Sequence, residues 1–172
     1  MASNGYLCIV PDMLDGSAVW TTDGGGNDVW MDDEVAYNKT KPSLESICDE
    51  QRKRQGIRTS NVNALGSEIV EKEFLDKLGL AEGSPILDVE RLFIAGKSTG
   101  GWTSILCSSF DQQLFIVCLS FDAPVYLAND QIRNDKIELK VPTYMLQSQG
   151  FLGSQVPDMF EPKVKDSWEV YS

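Results

Sequence analysis

Arg91-Leu92-Phe93-Ile94-Ala95-Gly96-Lys97-Ser98-Thr99-Gly100-Gly101 is the stretch on which the fold turns. Residues 91–95 are β-rich and mainly apolar, which predicts a strand. A run of small residues follows, and then an apolar helix is predicted from about Thr99 to Phe110. Between strand and helix lies G-x-S-x-G, in the strand-turn-helix setting that a nucleophile elbow requires. On this reading glycines at 96 and 100 clear space in a tight turn, and Ser98 is held exposed. The backbone N–H of Thr99, at the start of the helix, faces a developing oxyanion. The same residues also fit a plain glycine-rich turn or an anion-binding helix N-terminus. A phosphate-binding P-loop does not fit, because its first glycine would fall at Arg91 and the intervening residues read as strand.

Working outward, Leu114-Phe115-Ile116-Val117-Cys118-Leu119 is nearly all apolar, as expected of a strand covered on both faces of a parallel sheet. It runs into Ser120-Phe121-Asp122-Ala123-Pro124. A carboxylate at the C-terminal end of a parallel strand faces the functional edge of the sheet. Asp122 therefore shares an edge with Ser98 and is a candidate to orient a catalytic base; it also fits a turn cap ahead of Pro124. Residues 141–148 read as a further strand, with Pro142 at its tolerated first position. Upstream, Ser43 is placed to cap a helix from Leu44 whose apolar face holds Ile47 and Cys48. Residues 49–55 alternate acids and bases, so they read as an exposed charged continuation, and Gly56 is expected to weaken or break the helix. A turn is predicted at Gly83-Ser84-Pro85, and a helix end at Gly79. Residues 5–10, Gly-Tyr-Leu-Cys-Ile-Val, read as a buried first strand closed by Pro11. Residues 12–38 carry seven acids and no base and are expected to form a solvated loop, with Trp20 and Trp30 anchoring it. The alternation of strands and helices predicts an α/β fold: a mainly parallel sheet of about four strands with helices on its faces, in a single domain over 1–172.

Composition sets limits on function. The chain has 172 residues, 26 acids, 15 bases and a net charge of −11. Such a surface repels phosphate backbones, so nucleic acid is not an expected partner. No apolar run is long enough to span a bilayer, and the N-terminus lacks the basic start of a signal peptide, so a cytoplasmic location is favoured. Four cysteines without CxxC spacing read as reduced, buried thiols. There is no histidine, hence no complete Ser-His-Asp set and no histidine metal site within these residues.

Taken in order, several stretches resemble the platelet-activating factor acetylhydrolases, serine esterases of the α/β-hydrolase fold. Residues 2–10 are similar to that family's fourth strand, Asp49-Glu50-Gln51-Arg52-Lys53-Arg54 to its helix before the elbow, and Gly96-Lys97-Ser98-Thr99-Gly100-Gly101 to the elbow itself. Phe121-Asp122-Ala123, 24 residues beyond Ser98, is similar to the segment bearing the triad aspartate, and residues 142–151 to the next strand and its ending. The resemblance implies Ser98 as nucleophile and Asp122 as triad acid. It also implies hydrolysis of a short acyl ester of a phospholipid, with no metal or cofactor. The chain departs from the family where histidine usually precedes the nucleophile and Lys97 stands instead. It departs also in lacking a counterpart of the triad histidine and of the strand that supplies the second oxyanion donor. These departures are expected of an α/β-hydrolase domain truncated at both ends. A non-catalytic lipid- or protein-binding α/β fragment is the alternative.

Overall fold

The computed structural model describes residues 5–14, 20–30, 44–71, 74, 77–78, 87–110, 114–124 and 137–148, with the side chains of 44–48 left aside. The chain divides into two compact units, Met1–Ile47 and Cys48–Ser172.

In the first unit, β1 (Trp20–Thr22) and β2 (Asp28–Trp30) form an antiparallel hairpin in which Trp20 faces Trp30 and Thr21 faces Val29. This corrects the expected irregular loop. The acids that suggested solvation organise the turn instead. Asp23 accepts from Gly25 N at 2.9 Å and Asn27 N at 2.8 Å through Oδ1, and from Asn27 Nδ2 at 2.9 Å through Oδ2. Its backbone N–H reaches Asn27 O at 2.9 Å. The tryptophans are exposed members of the hairpin rather than anchors, and Trp20 Nε1 donates to Asp28 Oδ1 at 3.0 Å. Thr21, by contrast, is buried and donates its hydroxyl to Asp12 Oδ2. Residues 5–10 are a second correction, for they form no strand, and Val10 is 88% exposed. An apolar run becomes a strand only where a neighbouring strand pairs with it, and no such ladder forms at residues 5–10 among the described residues.

The second unit holds the parallel sheet. Its order is β3 (Phe93–Lys97), β4 (Val117–Phe121), β5 (Thr143–Leu146), both pairings parallel. The α/β expectation holds as a three-stranded parallel sheet with helices. The strands begin about two residues later than the apolar runs suggested. The helix α2 (Thr99–Cys107) connects β3 to β4 and packs on both. Ile94, Cys107, Phe115 and Cys118 form the buried centre, edged by Val62, Leu92, Leu114 and Val141. Trp102 of α2 is fully buried. The face away from this core is more open: Val117, Leu119 and Phe121 are half-buried, and Phe93, Tyr144 and Leu146 are exposed. Within β4, Cys118 and Ser120 are buried while Val117, Leu119 and Phe121 on the other face are half-buried, so the strand is covered more fully on one face.

The helix before the sheet, α1 (Leu44–Ile69), runs unbroken through Gly56, which is exposed and meets nothing. A solvent-facing glycine costs about 1 kcal/mol in a helix, too little to interrupt one held by packing. The run 49–55 is not a wholly exposed face either: Arg54, Gln55, Arg58 and Thr59 are buried. They recur at helical spacing and include the side of α1 that meets α2. Arg54 is paired with Glu50 at 2.9 Å. Cys107 and Cys118 are buried free thiols, as expected, and burial foremost, with Cys118 adding to it, pushes Cys107 up to about 12. Cys8 is exposed, contrary to expectation. Ser43, Gly79, residues 83–85 and residues 149–151 lie outside the described residues.

The hairpin turn provides a pH test. The Asn27 side chain, and then its backbone N–H, hold Asp23 below its ordinary value of 3.8. A carboxyl depressed in the folded state stabilises above its unfolded pKa, and that contribution is lost as pH falls through the folded value. Nuclear Overhauser contacts between Thr21 and Val29 should therefore persist at pH 6 and fade below about pH 4. Asp23→Ala should weaken them already at pH 6.

Candidate active site

The site is built at the C-terminal edge of the sheet, where β3 gives way to α2. The ladder pairs Gly96 with Ser120 and Lys97 with Phe121. It continues one bond further, from Ser98 N to Phe121 O at 2.8 Å, and the chain then turns at once into α2. Trp102 N bonds Ser98 O at 3.1 Å, closing the first helical turn on the same residue. Pinned from both sides, Ser98 takes φ 54 and ψ −126. A non-glycine residue in this region carries about 1–3 kcal/mol of strain and persists only where its surroundings over-determine it.

The space for this turn comes from a particular glycine. A Cβ on Gly96 would lie 2.1 Å from the carbonyl oxygen of Gly100 and 2.2 Å from its carbon. A Cβ on Gly101 would also be crowded, 2.9 Å from Ser120 Oγ and 3.0 Å from Phe121 O. At Gly100, which the sequence motif paired with Gly96, a Cβ would meet nothing within 4 Å. The second required glycine is therefore Gly101. Gly100 contributes its backbone carbonyl to the close approach and does not need its missing side chain.

The Ser98 hydroxyl makes no capping bond to its helix, and the residue is exposed. Thr99 is the first residue of α2, where backbone N–H groups have no intrahelical acceptor. Its peptide is held from the other side by a polar clamp that the sequence reading missed. Gln55 of α1 is 1% exposed; its Nε2 donates to Thr99 O at 3.0 Å, and its Oε1 accepts from Thr103 Oγ1 at 2.7 Å. The signal was present in the helical recurrence of residues 54, 55, 58, 59 and 62, but the charges among them suggested a solvated face.

Asp122 stands one residue beyond the end of β4, level with Ser98 one residue beyond β3. Adjacent strands lie roughly 5 Å apart, so the two residues are neighbours along the edge. Asp122 also has a positive φ, 48°, which aspartate tolerates better than most residues. Its N–H donates to Leu146 O at 2.8 Å, and its Oδ1 accepts from Ser148 N at 2.6 Å. The Ser148 backbone N–H foremost, and also the Ser148 hydroxyl and the Lys97 ammonium, hold the carboxyl below its ordinary value; its partial burial opposes them. The structure thus brings together Ser98, Thr99 and Asp122, all three sequence candidates, and adds Lys97 and Ser148. Among the described residues there is no group of three or more histidine, cysteine, aspartate or glutamate side chains placed to hold a metal.

Comparison of the chain with protein-family models, with curated proteins and with solved structures finds no match. No described helix is long and apolar enough to cross a membrane.

Two measurements check this arrangement. In urea titrations, Gly96→Ala should lower stability by about 3 kcal/mol or prevent folding, whereas Gly100→Ala should be neutral or stabilising by up to about 1 kcal/mol. Gln55→Ala should cost about 1 kcal/mol by removing two buried hydrogen bonds, while the Thr103 hydroxyl keeps Thr99 O as its acceptor, and Thr103→Val should add little in that background.

Proposed function

We propose that this chain carries the nucleophile and the acid of a serine ester hydrolase related to the platelet-activating factor acetylhydrolases, acting on a short acyl ester of a phospholipid. One observation carries the reading: a strained, exposed serine with an uncommitted hydroxyl sits at a strand-to-helix turn, level with an ionised aspartate on the next parallel strand. In the proposed reaction Ser98 Oγ bonds to the acyl carbon and the carbonyl electrons move onto oxygen. That charge is received by Thr99 N–H at the positive end of α2. Collapse of the adduct breaks the ester C–O bond and releases the alcohol, and water then frees the acyl group from Ser98. Each half requires a group that takes a proton from the attacking hydroxyl and returns it to the leaving oxygen. No histidine occurs among the 172 residues, and Asp122 can orient and stabilise an imidazolium but is too weak a base to replace it. The chain by itself is therefore expected to turn over negligibly.

That same absence favours a second reading, a non-catalytic α/β domain that binds a lipid or a protein. Hydrolysis of p-nitrophenyl acetate with and without added imidazole separates the two. Without imidazole, the chain and Ser98→Ala should release nitrophenolate alike. With imidazole, beyond its own background reaction, the chain should show a saturable increment at least roughly tenfold above that of Ser98→Ala. An increment that Ser98→Ala retains in full would leave the binding reading.

A further inference from the structure

Ser148 has no part in the serine motif, yet its position is unusual. It lies two residues beyond β5, one residue past the level at which Ser98 and Asp122 follow β3 and β4. Two bonds tie the end of β4 to this segment. The Asp122 N–H meets Leu146 O at 2.8 Å and continues the β4–β5 ladder. The second bond, Ser148 N to Asp122 Oδ1 at 2.6 Å, spends a side-chain carboxylate where ordinary sheet pairing would use a backbone carbonyl. It is a charge-assisted bond, shorter than the usual N–H to carbonyl distance.

We propose that Ser148 is the positioning residue of this site, fixing the Asp122 carboxylate with its backbone N–H and its hydroxyl. This deepens the hydrolase reading and rests on it for its catalytic meaning. The carboxylate of such a site must be ionised and stationary to orient an imidazole. Asp122 is only half-buried and has a positive φ one residue beyond its strand, so neither full burial nor helical packing immobilises it. Two donors from one residue do so, and both prefer the charged form. Lys97, on the neighbouring strand, is the other charged group acting on Asp122 among the described residues, and it adds attraction without a hydrogen bond. Ser148 touches no reacting atom and works only through Asp122.

The test is a carbon-detected NMR titration of the Asp122 carboxyl in the intact chain, with folding of each variant checked by circular dichroism. The midpoint should rise in Ser148→Ala, which removes the hydroxyl, and return towards the wild-type value in Ser148→Thr, which restores it. Ser148→Pro, which removes both donors, should raise it further. An Asp122 midpoint unchanged in folded Ser148→Ala and Ser148→Pro overturns the proposal. The imidazole-dependent rate should fall roughly tenfold in Ser148→Ala, with the acid limb of its pH profile following the carboxyl midpoint. A midpoint that moves while that limb stays fixed also overturns the positioning role. Loss of all Ser98-dependent turnover in the wild-type chain, with the titration shifts intact, refutes the hydrolase reading and leaves the Ser148–Asp122 linkage standing.

Discussion

The backbone of β3 and the backbone of α2 approach so closely at Gly96 that even a methyl group would overlap the carbonyl of Gly100. Much of the second unit follows from this approach. It brings the first turn of α2 down onto the end of the strand, so that Ser98 must reverse the chain within one residue. The reversal is held by hydrogen bonds that Ser98 makes with Phe121 and Trp102, one in the sheet and one in the helix. With α2 so placed, Trp102, Ile105 and Cys107 are buried, Cys107 within the cluster it forms with Ile94, Phe115 and Cys118. A turn made by loop residues could flex; one made by interlocking a sheet ladder with a helical hydrogen bond cannot relax without losing both.

The parts of this arrangement that were legible in the sequence are those set by local pattern. The parallel strands betray themselves as apolar runs, and the glycine-flanked serine between strand and helix marks a tight strand-to-helix turn. Asp122 could be placed because position along a parallel strand fixes which edge a residue occupies. The misreadings have a common physical cause, in that each turns on a partner that the local pattern does not name. Residues 5–10 look like a strand, but a strand is defined by its neighbour. Asp23 and its glycines look like a solvated loop, because nothing in their order reveals that one carboxylate takes up three donors of the turn. Arg54 and Gln55 look exposed by chemistry and are buried, Gln55 because α2 offers its amide Thr99 O and Thr103 Oγ1. Gly100 and Gly101 are indistinguishable in sequence, and only the approach of Ser120 and Phe121 separates them.

The electrostatics of the edge are asymmetric. A chain of net charge −11 places a lysine beside its exposed serine and keeps an adjacent carboxylate ionised by hydrogen bonds. Acid chemistry is thereby ruled out for Asp122 near neutral pH, since a carboxyl held below its ordinary value has no proton to give. What this edge offers instead is a fixed negative charge beside an exposed serine hydroxyl, an arrangement suited to a cationic partner and idle without one.

The pose of residue 98 also has a consequence for how such a site can change. Everything that fixes it is backbone: its N–H to Phe121, its carbonyl to Trp102, and the vacancy at Gly96. The hydroxyl carries none of this load and makes no capping bond. The frame is therefore indifferent to the side chain it displays. A thiol, or a bare methyl, fits the same socket without disturbing it, so the chemistry at this position can be exchanged or lost by a single codon while the architecture stays as it is.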